Sequence, residues 1–268
     1  MLNKNLIVGT ALGYNWKDIK NFVKSLRNFF DGDIILLMNL FSNQNLKKKL
    51  KFYRINTIHC SLNKKNYKFR YYYFYNFLKK NITNYNLIMF TDVKDVFFQS
   101  DPFLKEYNNP INFFEEDRII RNCKINSLWV KLALSEKKFN LYKNNYIVCA
   151  GTVIGKAKHM LLYFNLMRKK IDKMRMKFSV RYFFLRRSIA PGVDQAACLD
   201  IVYRKIFSTQ KIFSNKSGNI ATVGYMKNFT FNKKNKLMNN KNEIYDVVHQ
   251  YDRHINLFKK TINSCIKN

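Results

Sequence analysis

Short apolar runs separated by stretches of helical periodicity constrain this chain more than any other feature. Leu6-Ile-Val-Gly-Thr-Ala-Leu-Gly13 reads as a buried strand entering a glycine turn. Asp33-Ile-Ile-Leu-Leu-Met-Asn39 and Leu87-Ile-Met-Phe-Thr91 read as two more strands. None alternates apolar with polar, so each must be covered on both faces, as parallel strands are. Between the first two, Ile19, Phe22, Val23, Leu26, Phe29 and Phe30 predict a helix over 15–30. A short strand near 52–58 and an aromatic-rich helix over 66–80 complete this half. Repeated strand, helix, strand predicts an α/β fold with a mostly parallel central sheet flanked by helices. Ligands of such sheets sit beyond the carboxyl ends of the strands, where 9–14 and 92–95 fall.

The second half is less regular. Helices are predicted over 127–139, 156–179 and 194–207, and a strand broken by glycine over 146–155. Short strands are predicted at 219–224 and 245–249, with a polar loop over 232–242 between them. Residues 1–268 read as one unit, with halves of about 1–105 and about 106–268, and neither a repeat nor a linker divides them. Apolar residues at 47% and aromatic residues at 16% argue against disorder. No apolar run approaches the roughly 20 residues of a spanning helix. The first residues, Met1-Leu-Asn-Lys-Asn-Leu-Ile-Val-Gly, do not read as a secretory signal. Five scattered cysteines without CxxC spacing indicate neither a zinc site nor a disulfide framework. A cytoplasmic location is expected, with contact at a membrane surface as its extension.

The net charge of +32 raises the question of a polyanionic partner. Lys, Asn, Ile, Phe and Tyr are all abundant, while Gly (8) and Pro (3) are scarce. An AT-rich coding sequence produces that whole set, whereas selection for phosphate binding would not also raise Asn and Phe. Coding bias is therefore read as the main source of the charge.

Four segments carry chemistry. Thr91-Asp92-Val-Lys-Asp95-Val-Phe-Phe-Gln-Ser-Asp-Pro-Phe103 places two aspartates at the end of an apolar strand. Carboxylates there suit a hard divalent cation, although Asp is also favoured in turns. Val247-Val-His249-Gln-Tyr-Asp-Arg-His254 brings a histidine out of an apolar strand, where imidazole can complete a metal site. Gly192-Val-Asp194-Gln195 opens a helix, with Asp194 as its N-cap or as a partner for sugar hydroxyls beside Gln195. Cys149-Ala-Gly151-Thr-Val-Ile-Gly155 offers close backbone approach to a ligand, or only a tight turn.

Together these segments resemble the GT-A-type glycosyltransferases, most of all a group with a Thr-Asp-Val-Arg-Asp-Val core and relatives of glycogenin-like transferases. Phe113-Phe-Glu-Glu-Asp117, Asn126-Ser-Leu-Trp129, Ala150-Gly-Thr-Val-Ile-Gly155 and Val248-His-Gln-Tyr-Asp252 fall in the expected order, so the resemblance covers about residues 6–255. It implies a Rossmann-like nucleotide half and an acceptor-binding C-terminal half. It also implies a nucleotide-sugar donor, a UDP-sugar for preference, and Mn²⁺ or Mg²⁺. Asp95 and His249 match metal ligands. Asp92 stands one residue ahead of the family's first aspartate, which leaves it a ribose contact, a water-mediated metal contact or a loop-orienting part. Asp194 and Gln195 match the pair near the transferred sugar and are the expected catalytic residues. Thr10 and Tyr14 lie where base and ribose sit, Gly151 lies against the donor, and Arg70 is either a diphosphate contact or a solvated helix residue.

The glycogenin-like similarity favours retention at the anomeric carbon. An inverting enzyme would need a base, with Glu115, Glu116 or Asp117 as candidates. The acceptor is expected to be a glycan or a lipid-linked sugar. Lys156–Arg187 holds eleven Lys/Arg and one acid beside an apolar stripe of Met160, Phe164, Met167, Ile171, Met174 and Phe178. That stripe reads as core packing first and as a face for anionic membrane second. The competing class is a basic nucleic-acid-binding protein or a nucleotidyltransferase. Its lysines would not be so dispersed, and no helix-turn-helix, zinc-finger or RNP-type signature supports specific nucleic-acid binding.

Overall fold

A computed structural model describes residues 4–40, 42–62, 68–185 and 192–266, with the side chains of 175–185 excepted. The first half follows the apolar pattern. Strand β1 (Lys4–Thr10) leads to helix α1 (Trp16–Phe29), strand β2 (Asp33–Asn39), helix α2 (Gln44–Phe52), strand β3 (Asn56–Cys60), helix α3 (Arg70–Asn81) and strand β4 (Tyr85–Thr91). Helix α1 begins where Asn15 and Asp18 cap each other, satisfying two backbone N–H groups that a helix start leaves unpaired. Helix α2 was not foreseen, because only Leu46 and Leu50 of its nine residues are buried.

The chain then forms β5 (Val96–Phe98), β6 (Ile111–Ile119), α4 (Lys124–Ala133), α5 (Glu136–Tyr142), β7 (Tyr146–Lys156), α6 (Ala157–Leu185) and α7 (Val193–Tyr203). It ends with β8 (Gln210–Phe213), β9 (Ile220–Thr222), β10 (Thr230–Phe231), β11 (Leu237–Met238), β12 (Val247–His249) and α8 (Ile255–Ile266). The helix expected over 127–139 is two helices, divided where Ser135 caps α5 by accepting from the Lys138 N–H. The strand expected to break at glycine runs unbroken as β7. The expected loop over 232–242 contains β11, which forms a hairpin with β10.

Seven strands form one sheet in the order β3-β2-β1-β4-β7-β6-β8. Four neighbouring pairs are parallel and two, on either side of β7, are antiparallel. This is a mixed α/β structure with a mostly parallel sheet flanked by helices, compatible with a Rossmann-like arrangement. The sheet crosses the boundary near residue 105, since β6, β7 and β8 extend the sheet begun by β1–β4. Helices α3, α6 and α7 cover one face, where Tyr71, Phe74 and Phe164 converge on Phe90. Helices α1 and α2 cover the other through Phe22, Leu26, Leu46 and Leu50. A second sheet, β5-β12-β9, packs against α8 through Phe97, Val248 and Phe258.

Within the described part of α6, the apolar stripe at Met160, Phe164, Met167, Ile171 and Met174 is buried in the core. Phe178 lies outside the described side chains. No helix among the described residues is long and apolar enough to cross a membrane. All five cysteines are free and buried.

Candidate metal centre and its two cavities

The site follows from the strand order. The chain passes from β1 outward to β2 and β3, then returns to place β4 on the other side of β1. The crevice at such a reversal is where parallel sheets bind ligands. Thr10 and Tyr14 leave the end of β1 there, and Asp92 follows the end of β4.

Beyond β4 the backbone turns in four residues. Val93 is buried against Gly9, where a Cβ would lie 2.5 Å from it. Pairing then resumes in β5, which runs antiparallel to β12 with Val96 opposite His249. That register sets the histidine beside Asp95. Gln250 then takes a left-handed backbone conformation, φ 61°, and its N–H donates to the Asp95 carbonyl at 2.8 Å. Such a conformation in a non-glycine residue costs about 1–3 kcal/mol and is found where surrounding structure holds a site in place.

His249 Nε2 lies 3.6 Å from Asp92 Oδ2 and 3.5 Å from Asp95 Oδ2. One ligand atom from each of the three residues falls within 4.8 Å of the others, a set that could hold a metal ion. Two carboxylate oxygens and an imidazole nitrogen form a donor set for a divalent metal ion. The other ring nitrogen, Nδ1, lies 3.3 Å from Cys149 Sγ and 3.5 Å from Thr152 Oγ1, which fixes the ring's orientation. Burial opposes protonation of His249, but Cys149, Asp95 and Asp92 hold its pKa well above the usual imidazole value. Gly151 makes this packing possible, because a Cβ there would lie 2.4 Å from Asp92 Oδ2 and 2.8 Å from His249 Cε1. Its close neighbours are the site's own side chains, and its carbonyl accepts from the Asp92 N–H at 2.8 Å.

Arg70 is 4% exposed, so the solvated reading of this residue is wrong. Its guanidinium donates to Asp92 Oδ1 at 2.7 Å and reaches Asp194 Oδ2 at 3.5 Å. It leaves Asp92 Oδ2 facing the cluster. Burial works to raise the Asp92 pKa, yet Arg70 and His249 hold that carboxyl well below the usual range. Asp92 therefore lies in one cluster with Asp95 and His249, held there by Arg70.

Two cavities meet at Arg70, Asp92 and Asp95. The outer one, about 370 Å³, is lined by Thr10, Leu12, Tyr14 and Lys94. Thr10 Oγ1 is buried there without a hydrogen-bond partner among the described residues. Burial, with Asp92 and Asp95 close by, pushes the Tyr14 pKa up to about 12, so its hydroxyl remains a donor. The inner cavity, about 210 Å³, lies under α7 and α4 and includes Glu116, Asn126, Trp129, Asp194, Gln195 and Arg253 in its wall.

Gly192 is the N-cap of α7, which leaves Asp194 inside the first turn and not at the N-cap position expected for it. Burial raises its pKa against the pull of Arg70. Both ends of the Gln195 amide are engaged by β7: Nε2 donates to Val148 O at 2.7 Å, and Oε1 accepts from the Ala150 N–H at 3.0 Å. Of Glu115, Glu116 and Asp117, only Glu116 lines the inner cavity. Burial pushes its pKa up, against the charges of His249 and Arg253. Arg253 and Tyr225 are further wall residues that the sequence did not single out; the run Gln250-Tyr-Asp-Arg253 just after His249 was the available signal for the arginine.

No model of a known protein family matches the chain, and a search of curated proteins finds no significant relative.

Proposed function

We propose that this protein is a metal-dependent glycosyltransferase of GT-A-like architecture, moving a sugar from a nucleoside diphosphate sugar to a hydroxyl acceptor. The observation that carries this reading is the Asp92–Asp95–His249 cluster on the seam between two cavities at the sheet's switch point. A nucleotide-sugar has three parts in line, nucleoside, diphosphate and sugar. An outer cavity, a cation site and an inner cavity repeat that order.

In this reading Thr10 and Tyr14 bind the nucleoside, most simply the uridine of a UDP-sugar. Asp92, Asp95 and His249 would hold a divalent ion such as Mn²⁺ or Mg²⁺, which would supply positive charge beside the leaving diphosphate. Arg70 orients Asp92 and Asp194 through its two ion pairs and adds positive charge beside the diphosphate. Cys149 and Thr152 keep the imidazole aimed at the cluster. Asp194 presents a carboxylate to the sugar's reacting face, while Gln195 pins α7 to β7 and so sets where Asp194 points. This supports the retaining course that the sequence resemblance favours. Glu116 is the wall carboxylate available as a base in an inverting one. The acceptor is a glycan or a lipid-linked sugar.

The test is turnover. Donor hydrolysis and transfer are measured over a panel of nucleotide-sugars with Mn²⁺, with chelator, and for Asp95→Ala. Metal-dependent cleavage of a donor, lost with chelator and in the variant, is the expected result. Unchanged Mn²⁺-dependent hydrolysis in Asp95→Ala would remove the metal assignment.

A further inference from the structure

Helix α2 exposes a phenyl ring among lysines. Its nine residues include Lys47, Lys48, Lys49 and Lys51 and no acid, and only Leu46 and Leu50 are buried. Its last residue, Phe52, is 79% exposed, more than any other large apolar side chain among the described residues. Lys48 and Lys49, one helical turn before it, lie beside Phe52 on the helix surface. Coding bias sets how many lysines and phenylalanines a chain has, but not where the fold exposes them.

The surroundings of Phe52 continue this pattern. Toward α1, Tyr53 stacks on Trp16 with ring centroids 5.5 Å apart, and Phe52 meets Tyr53 edge-on at 5.1 Å. Lys49 Nζ lies 5.7 Å from the centre of the Trp16 ring. Toward β3, Lys47, Lys51 and Arg54 line a cavity of about 640 Å³. Asp31 and Asp33 share its wall. Asp31 pairs with Arg54 at 2.8 Å, both side chains well exposed, and Asp33 accepts from the Tyr85 hydroxyl at 3.2 Å. Neither Lys47 nor Lys51 has an ion pair among the described residues.

Lysines around a protruding aromatic ring match a surface that is anionic at its face and apolar beneath. A bilayer with acidic lipids is such a surface: the cations meet headgroup charges while the ring enters the acyl boundary. Single-stranded nucleic acid is bound differently, by ring faces open along a groove on which bases stack. Here Trp16 and Tyr53 stack on each other, and the exposed ring stands at a helix end. We propose that the outer side of α2, with Lys47, Lys48, Lys49, Lys51 and Phe52, docks the protein on an anionic lipid surface. The membrane contact thus moves from α6, whose apolar stripe is buried, to α2. Phe52 precedes the amino end of β3, whereas Asp92 follows the carboxyl end of β4 in the same parallel set of strands, so docking leaves the metal centre clear of the bilayer. The inference does not rest on the glycosyl-transfer reading.

Co-sedimentation of the full chain at physiological salt with vesicles of phosphatidylcholine, with and without phosphatidylserine, tests this. Binding to the phosphatidylserine vesicles alone is the expected result. Lys47→Gln combined with Lys51→Gln should weaken it by roughly tenfold or more, since each cation near an anionic surface strengthens association several-fold. Phe52→Ala should weaken it by about fivefold through lost apolar contact. Because Phe52 is so exposed, thermal unfolding of that variant should match wild type. Lys169→Gln combined with Lys173→Gln is the control, an exposed pair of the same spacing on α6, across the sheet from α2. It should shift binding by less than about twofold, being beyond the reach of a screened surface potential. A control loss equal to that of the α2 pair overturns the proposal, because binding would then follow net charge alone. Failure to bind phosphatidylserine vesicles overturns it too, as does a Phe52→Ala variant that binds them like wild type. If Phe52→Ala weakens binding to single-stranded polyuridylate as much as to vesicles, the face is a nucleic-acid surface and the lipid assignment falls.

Discussion

Asp194 and Asp200 sit on the same helix, α7, and both are almost wholly buried, at 4% and 2% exposure. Their surroundings are opposite. Asp200 accepts from the Tyr142 hydroxyl at 2.7 Å and is paired with Lys170, with Lys138 at 3.4 Å and with Arg204 at 3.8 Å. Burial works to raise its pKa, but the Lys170 and Tyr142 hydrogen bonds and the lysine charges hold it below the usual carboxylate range. Asp194 has one cation at 3.5 Å, and Arg70 shares that charge with Asp92. Burial therefore wins and its pKa rises. A carboxylate so well matched is part of the framework. One kept buried beside a cavity, with the Gln195 N–H at 3.0 Å and a cation shared with Asp92, is a candidate functional group.

The sharpest way to break this contrast is exchange of each carboxylate for a neutral group. Asp194→Asn should lower donor turnover by about a hundredfold or more, the scale of losing one preorganised electrostatic group, while thermal unfolding stays unchanged or moves upward. A variant that loses stability and keeps turnover would place Asp194 in the framework beside Asp200. Asp200→Ala should do the reverse. Removing one partner of a buried ion pair costs about 3–5 kcal/mol, roughly a 10 °C fall in Tm for a chain of this size, with turnover per folded molecule retained.

Gly151→Ala probes the metal edge of the same cavity. Its Cβ would displace Asp92 and His249. Mn²⁺ affinity, followed by the metal's relaxation enhancement, should fall by roughly tenfold or more, as disturbed ligand geometry does elsewhere. Unaltered Mn²⁺ binding would show that the cluster tolerates that displacement.

The smallest effect concerns pH. With its folded pKa depressed, Asp200 contributes stability that is fully present above the unfolded carboxylate value of about 3.9. That contribution is lost as pH falls through the lower folded value. Urea unfolding should therefore show a constant advantage of wild type over Asp200→Asn above about pH 5, closing below about pH 4. Asp194 has the opposite sign: its raised folded pKa makes stability fall as pH rises between its unfolded and folded values. An Asp194→Asn variant whose acid limb matched that of Asp200→Asn would erase the distinction.

The sheet was legible wherever a strand is continuously apolar, at β1, β2, β4 and β7. Strand β6 was not, because Phe113-Phe-Glu-Glu-Asp-Arg mixes apolar and charged residues and its pairing with β7 shifts register between Phe113 and Glu115. That irregularity decides which of Glu115, Glu116 and Asp117 enters the cavity, and no alternation rule reads through it. Helix α8 was missed because its buried stripe is only Phe258, Thr261, Ile262 and Cys265. Among site residues, Asp92, Asp95, Asp194 and His249 are polar groups at the ends of apolar elements, and they could be named before they could be placed.

The sequence by itself determined which segments are strands and helices where periodicity is strong, and which carboxylates and histidine lie at their ends. These are local properties, set by the burial that an apolar pattern demands over a few residues. Only the tertiary structure brought Arg70 between Asp92 and Asp194, residues 22 and 124 positions away along the chain. It also set Glu116 in the cavity wall, brought Asp92 into one cluster with Asp95, and gave Asp194 and Asp200 opposite electrostatic environments on one helix. Each of those outcomes depends on which cation lies within a few ångströms of which carboxylate, and how much water reaches them, after distant strands have paired.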